Sequence, residues 1–417
     1  MAVRRLLGSV ARKTPREIVQ HLVRRAAQRV DTASLDFPLL PRDIADSHDP
    51  RMPGRGEPRR LTDGASPRVG WIVVPPGAGS GGHTTLFRMM EADKTQGLRN
   101  TLLFYDRYAS DHTRNAAVVR ESWPWLECGI EPIGDDLSGF DAVVASSWQT
   151  AHAAASRRVA GQALVYFAQD FEPYFFPRGA LYALAEDSYR LGLRNVALGE
   201  MVASLLRSDV GVPVTHVPFG CDTDTYRLLE PARDRAGVLF YAKRGNDRRG
   251  HRLAVLALEI FSRMRPDQPI HVYGDAAENL PFPAIAHGSL SPDALNALYN
   301  TVVAGFALSF TNISLVAEEM LAAGVVPVVN DSPLARADLA NEHARWAEAT
   351  PHALAQALAD AVSAAEEPGY ARAVAGSVTT PTWSRTGAML ADVIRSEIPW
   401  ASGADTAATS PPTRVTR

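Results

Sequence analysis

The chain is poor in cysteine, in net charge and in long apolar runs. Cys128 and Cys221 are the only cysteines in 417 residues, too few for a disulfide framework or a structural zinc site. A reduced, cytoplasmic compartment is therefore expected. A formal net charge of -3 offers no general attraction for nucleic acid. No apolar run approaches the ~20 residues that span a bilayer, and the basic start lacks the continuous apolar core of a secretory signal. A soluble protein is expected. What is present is ordinary globular composition, 46% hydrophobic and 21% charged, in a chain long enough for two domains of usual size.

Residues 1–30 are rich in Arg and Lys, with Glu17 the one acid. Thr14-Pro15-Arg16-Glu17 reads as a capping box, and Ile18, Val19, Leu22, Val23, Ala26, Ala27 and Val30 recur at helical spacing. Such a basic amphipathic helix either lies on an anionic membrane surface or packs its apolar stripe on the protein body. Residues 40–68 are dense in Pro, Arg, Asp and Gly without periodicity and read as a linker or draped arm. Residues 1–67 thus form an extension before the first domain. Residues 400–417 read as a disordered tail.

Between these ends the pattern alternates strand and helix. A first α/β domain is expected over 68–218 and a second over 235–380, with a final amphipathic helix at 383–397. The strand Arg68–Val74 runs into a glycine-rich turn in which Gly77, Gly79 and Gly82 match GxGxxG. A second strand follows and ends at Asp106, the order of a dinucleotide-binding unit with an acid for the ribose. An NAD-dependent oxidoreductase is one reading. In the other, Gly81 and Gly82 let backbone approach a diphosphate or sugar.

Three further segments carry polar residues to strand ends. Gln169-Asp-Phe-Glu-Pro-Tyr-Phe-Phe-Pro177 sets Asp170 and Glu172 beside aromatics, which suits a sugar or else simply plugs the domain. Lys243-Arg-Gly-Asn-Asp-Arg-Arg-Gly250 follows the strand Gly237–Ala242, placing Lys243, Arg248 and Arg249 to neutralise a diphosphate. In Ser309–Asp331, Thr311, Asn312 and Ser314 supply oxygens suited to capping a helix that stops at Gly324. The start of that helix is a natural phosphate seat. Its carboxylates, Glu318 and Glu319, are either surface charges or a ligand-hydroxyl acceptor. Asp222-Thr-Asp224 has the form of a metal-binding DxD, but its place at the domain junction favours a turn.

These segments, taken together over residues 68–398, resemble the GT-B nucleotide-sugar glycosyltransferases. In particular they are similar to bacterial rhamnosyltransferases of the WsaF type in glycosyltransferase family 4. The residues that carry the likeness are the 169–176 run, Phe240-Tyr-Ala-Lys with Arg248-Arg-Gly250, and Glu319-Met…Gly324. The resemblance implies two Rossmann-like α/β domains facing a cleft, with the last helix crossing back to the first. It implies that Lys243 and Arg249 (or Arg248) hold the phosphates and that Glu319 accepts ribose hydroxyls. Backbone around Thr311, Asn312 and Ile313 would meet the diphosphate or sugar, with Gly81 and Gly82 on the other wall. Asp170 and Glu172 would orient the acceptor or the transferred sugar.

The family's earlier Glu falls on Thr311 here, and Lys243 stands where relatives often carry Arg. The implied activity is transfer from dTDP-L-rhamnose, or another nucleotide sugar, to a glycan or lipid-linked glycan. It would proceed with retention and without metal or cofactor, in the cytoplasm, with the basic helix in residues 1–30 offering peripheral contact with the inner face of the plasma membrane as one of its two readings. A non-catalytic nucleotide- or glycan-binding protein is the remaining reading.

Overall fold

The computed structural model describes residues 37–47, 54, 56, 60–62, 64–229, 235–275 and 279–400. The expected basic helix within 1–30 lies outside these residues, as does the tail beyond 400. From Arg42 onward the described residues form one compact unit. It holds two wholly parallel sheets.

The first sheet has the order β3-β2-β1-β4-β5-β6-β7. Its strands are β1 Arg68–Val73, β2 Arg99–Phe104, β3 Gly129–Pro132, β4 Ala142–Ala145, β5 Ala163–Ala168, β6 Arg194–Leu198 and β7 Val214–Val217. The second has the order β10-β9-β8-β11-β12-β13. It comprises β8 Val238–Ala242, β9 Ile270–Gly274, β10 Ile285–Gly288, β11 Ala304–Phe306, β12 Val326–Asn330 and β13 Arg345–Ala347. In each, the chain winds outward one way, returns to the centre, then winds outward the other way. This places a topological switch point at the carboxyl ends of the central strands. Central strands β4, β5 and β12 are buried at every residue, as helices on both faces require, whereas edge strand β10 is largely exposed.

Pro327 lies inside β12, between β11 and β13. The Val326 N–H donates to Val303 O toward β11, so position 327 would point its missing N–H the other way. Pairing with β13 begins only at Val328, and no ladder bond is lost.

The helix Trp383–Glu397 returns to the first sheet and lies along the helix Gly81–Thr95. Trp383, Thr386, Gly387, Leu390, Ala391 and Ile394 form its buried stripe at helical spacing. A Cβ on Gly387 would overlap that of Ala92, so glycine sets how closely the two helices approach. Two expectations need adjustment. Leu61 and Trp400, assigned to an arm and a tail, form a bridge in which Leu61 N–H donates to Pro399 O at 3.0 Å. Asp43, also within the assigned arm, is buried and accepts from Arg157 Nη1 at 2.7 Å.

Gly387→Leu is expected to force the two helices apart and to cost about 1–3 kcal/mol or more by overpacking. Urea denaturation would measure the loss, and an unchanged midpoint would contradict the close approach.

Candidate active site

The loops that leave the carboxyl ends of β1 and β5 face those that leave β8 and β11. On the second sheet, β8 delivers Lys243–Gly250 and β11 delivers Ser309–Ser314. Phe310 N–H donates to Arg248 O at 2.9 Å, and Arg249 Nη1 donates to Ser309 Oγ at 2.8 Å. Ser309 and Asn330 exchange two bonds, Ser309 N–H to Asn330 Oδ1 and Asn330 Nδ2 to Ser309 O. A polar residue ending the buried run of β12 thus pins the loop on which the site is built.

The helix Leu315–Ala322 begins beyond that loop. Ser314 is its N-cap yet makes no side-chain capping bond, leaving first-turn N–H groups to another acceptor. Thr311 and Asn312, expected as caps, do something else: both reach across to the first sheet. Thr311 Oγ1 donates to Asp170 Oδ2 at 2.9 Å, and Asn312 Nδ2 donates to Gln169 O at 2.8 Å. Ile313 is 4% exposed, so its side chain is core and only its backbone is available to a ligand. The helix ends as its sequence requires, with Gly324 at φ 76°.

The first sheet contributes Gly81, Gly82 and Asp170. Ser80, ahead of Gly81, makes no side-chain cap bond to its helix, its Oγ lying 2.8 Å from His83 Nδ1. A Cβ at Gly81 would meet nothing, and one at Gly82 would meet only Gln169 Oε1 at 3.9 Å. Asp170 pairs with Arg248 Nη1 at 2.9 Å, and the Arg248 guanidinium lies 4.6 Å from the centroid of the Phe175 ring. Burial raises the Asp170 carboxyl above its ordinary range, while Arg248 and Arg249 oppose that shift. Burial, with Arg248 beside it, lowers Arg249 to about 10. It remains a cation at neutral pH.

The structure therefore brings together Gly82, Asp170, Arg248, Arg249, Thr311 and Asn312. It does not bring Glu172 to them. Glu172, expected to orient a ligand, turns into the first domain, where it accepts from Trp148 N–H and from the Tyr166 hydroxyl at 2.9 Å. Burial pushes its pKa up to about 8. Its role is corrected to a buried cap on the helix Trp148–Ser156. Lys243 is exposed at the start of its loop.

Glu319 sits half-buried in a separate polar group, its Oε2 3.5 Å from the Tyr299 hydroxyl. Burial raises it to about 7 and Arg88 pulls it back down. Arg88 pairs with Asp222 at 2.9 Å and lies over Trp383. Asp222 also accepts from Thr225 N–H and Oγ1, which is the turn role expected of it. Sequence reasoning missed Gln169, Arg88 and Asn330. Only Asn330, polar after Val325–Val329, carried a visible signal.

Asp106, the acid that an NAD site would use for ribose, accepts from Tyr108 N–H, Ser110 N–H and the Ser110 hydroxyl. Its carboxylate closes its own loop. A separate cavity of about 660 Å³, lined by Arg158, Gln162, Arg190, Arg194, Asn195 and Glu397 among others, lies at the amino ends of β5 and β6. Ligands of parallel sheets collect at the opposite edge.

Two parallel sheets with apposed carboxyl-end loops and a crossing C-terminal helix define the GT-B fold of the glycosyltransferases. A glycosyltransferase from Rickettsia africae ESF-5 superposes with a TM-score of 0.59 at 12% identity, covering 80% of this chain and 98% of that one. HepE from Anabaena, solved with UDP and glucose, gives 0.57 at 12% identity, covering 79% and 100%. Within that class the chain is similar to the WsaF family over part of its length. The WsaF C-terminal domain matches residues 236–359 and the WsaF N-terminal domain residues 136–201. An O-antigen biosynthesis protein, RfbC, from Myxococcus xanthus is 29% identical over 337 residues. The match covers 76% of this chain but 26% of that relative.

Glu172→Ala leaves buried donors without a partner and is expected to cost about 1–3 kcal/mol, whereas Glu172→Gln keeps an acceptor. Because the folded pKa is raised, the acid's favourable contribution is complete below its unfolded value and is lost as pH rises through about 8. Denaturation midpoints of the parent should fall between pH 6 and pH 9, and those of Glu172→Gln should fall less.

Proposed function

We propose that the protein is a glycosyltransferase that moves L-rhamnose from dTDP-L-rhamnose onto a glycan of a cell-surface polysaccharide. The reading includes retention of anomeric configuration and no metal, and it places the enzyme at the cytoplasmic face of the membrane. The observation that carries it is the clustering of Arg248 and Arg249 with the 309–314 loop and an uncapped helix start at the carboxyl edge of the second sheet. Such a seat fits a diphosphate. The WsaF match and the O-antigen role named for RfbC support the substrate class. The UDP and glucose bound to HepE support a nucleotide-sugar donor.

In this reading breaking the sugar–phosphate bond leaves negative charge on the diphosphate. Arg249, held by Ser309, and the N–H groups after Ser314 meet that charge where it develops. Lys243, at the entrance of the same loop, adds a third cation. Glu319 accepts ribose hydroxyls, and one carboxylate suits a deoxyribose with a single free hydroxyl at that edge. Gly81 and Gly82 leave room for the sugar or the acceptor on the opposite wall. Positioning of the acceptor hydroxyl supplies most of the remaining rate.

A second reading is favoured by one observation. Thr311 stands where the resembling family carries Glu, and its hydroxyl is engaged by Asp170. A nucleotide-binding protein without turnover would fit that loss.

Arg249→Gln should lower kcat/KM for dTDP-rhamnose by about 10²–10³-fold, the usual loss of one fixed donor to developing charge. Glu319 accepts best as a carboxylate, so its pKa of about 7 makes donor KM fall as pH rises through neutrality. Glu319→Gln should flatten that profile. Turnover unchanged in both variants would remove this assignment, and thermal stabilisation by NAD alone would replace it.

A further inference from the structure

We propose that Asp170 latches the two domains by occupying the cationic seat of the donor diphosphate, so that donor binding must displace it. The inference rests on the donor-site reading above. Asp170 is carried on the first sheet's loop after β5, yet its hydrogen-bonded side-chain partners belong to the second: Arg248 Nη1 and Thr311 Oγ1, each at 2.9 Å from Oδ2. Phe175, five residues further along the same loop, covers the face of the same guanidinium. Gln169 O takes the Asn312 amide. One short loop therefore grips in-plane donor, cation face and neighbouring amide together. These are the groups to which the diphosphate and sugar are assigned.

The grip is incompletely satisfied. Asp170 is 7% exposed and Asn312 is 8% exposed. Asp170 Oδ1 and Asn312 Oδ1 are buried with no hydrogen-bond partner among the described residues. A buried carboxylate oxygen without a donor is costly, and the raised Asp170 pKa has the same origin in burial. A contact that leaves two buried acceptors unpaired suits a catch that opens rather than a permanent joint. Its charge also has a definite sign. A carboxylate on Arg248 attracts the cation that a diphosphate needs and repels the diphosphate itself.

The opposing possibility is that Asp170 merely positions Arg248 for the ligand, and the two differ in sign. A latch predicts that Asp170→Asn binds dTDP, UDP and inorganic diphosphate about tenfold more tightly than the parent by calorimetry. Amide exchange over 309–314 should quicken in the ligand-free variant. Phe175→Leu, which alters a half-exposed ring and so threatens folding little, should shift both readouts the same way. Equal or weaker binding by both variants, with the parent binding nucleotide, overturns the latch and leaves the donor reading intact. Failure of the parent and both variants to bind any of the three ligands overturns the donor reading and the latch together.

Discussion

A long helix–helix contact helps to fix the relation between the two sheets. Trp383–Glu397 leaves the second sheet and lies on Gly81–Thr95 of the first, with Gly387 allowing near contact at Ala92. Arg88, from the middle of that first helix, stacks over Trp383 and pairs with Asp222 in the connection between the sheets. The helix that carries Gly81 and Gly82 at its start is thereby fixed against both the linker and the returning helix. Displacing it would move the glycine wall together with Arg88, whose charge lowers the Glu319 pKa.

Four buried or half-buried acids around the cleft show how position decides what a carboxylate does. Glu172 accepts from Trp148 N–H and the Tyr166 hydroxyl, both in the first domain. Asp338 crosses between the domains, accepting from Glu200 N–H and Met201 N–H at a helix start. Asp170 crosses too, but toward arginines suited to a ligand. Glu319 keeps one weak partner in Tyr299 and a distant cation in Arg88. Burial raises all four, with causes and consequences that differ by partner.

Much of the architecture was legible because the central strands are continuous apolar runs with glycine or polar turns at their ends. Val238–Ala242 and Val326–Asn330 could hardly be anything but buried parallel strands. Elements at the rim were not. Gly129–Pro132 is an exposed edge strand of four residues, and Arg345–Ala347 is shorter still. Neither has the length or alternation that would mark it. The helix Tyr370–Gly376 has one buried residue and so no readable stripe. In the site, residue type was readable but direction was not. Asp170 and Glu172 are two apart in sequence, yet a 3₁₀ turn beginning at Glu172 sends one across the cleft and the other into the core. Thr311 and Asn312 look like caps by composition, and only tertiary structure shows that Asp170 and Gln169 claim them.

Arg235, at the entrance to the second sheet, donates to Tyr299 O, Ala323 O and Gly324 O. It thus binds the carboxyl-terminal carbonyls of two helices, Pro292–Tyr299 and Leu315–Ala322. Burial lowers its pKa to about 10, which leaves it positive at neutral pH. Each helix has a partial negative pole at that end and a partial positive pole at the other. One guanidinium neutralises both negative poles, and the eight-residue helix Leu315–Ala322 separates its own two poles by only about 12 Å. The field emerging at Ser314 is then less cancelled by its own far end. A half-buried arginine at the far end of that helix thus acts as the counter-electrode for the cleft.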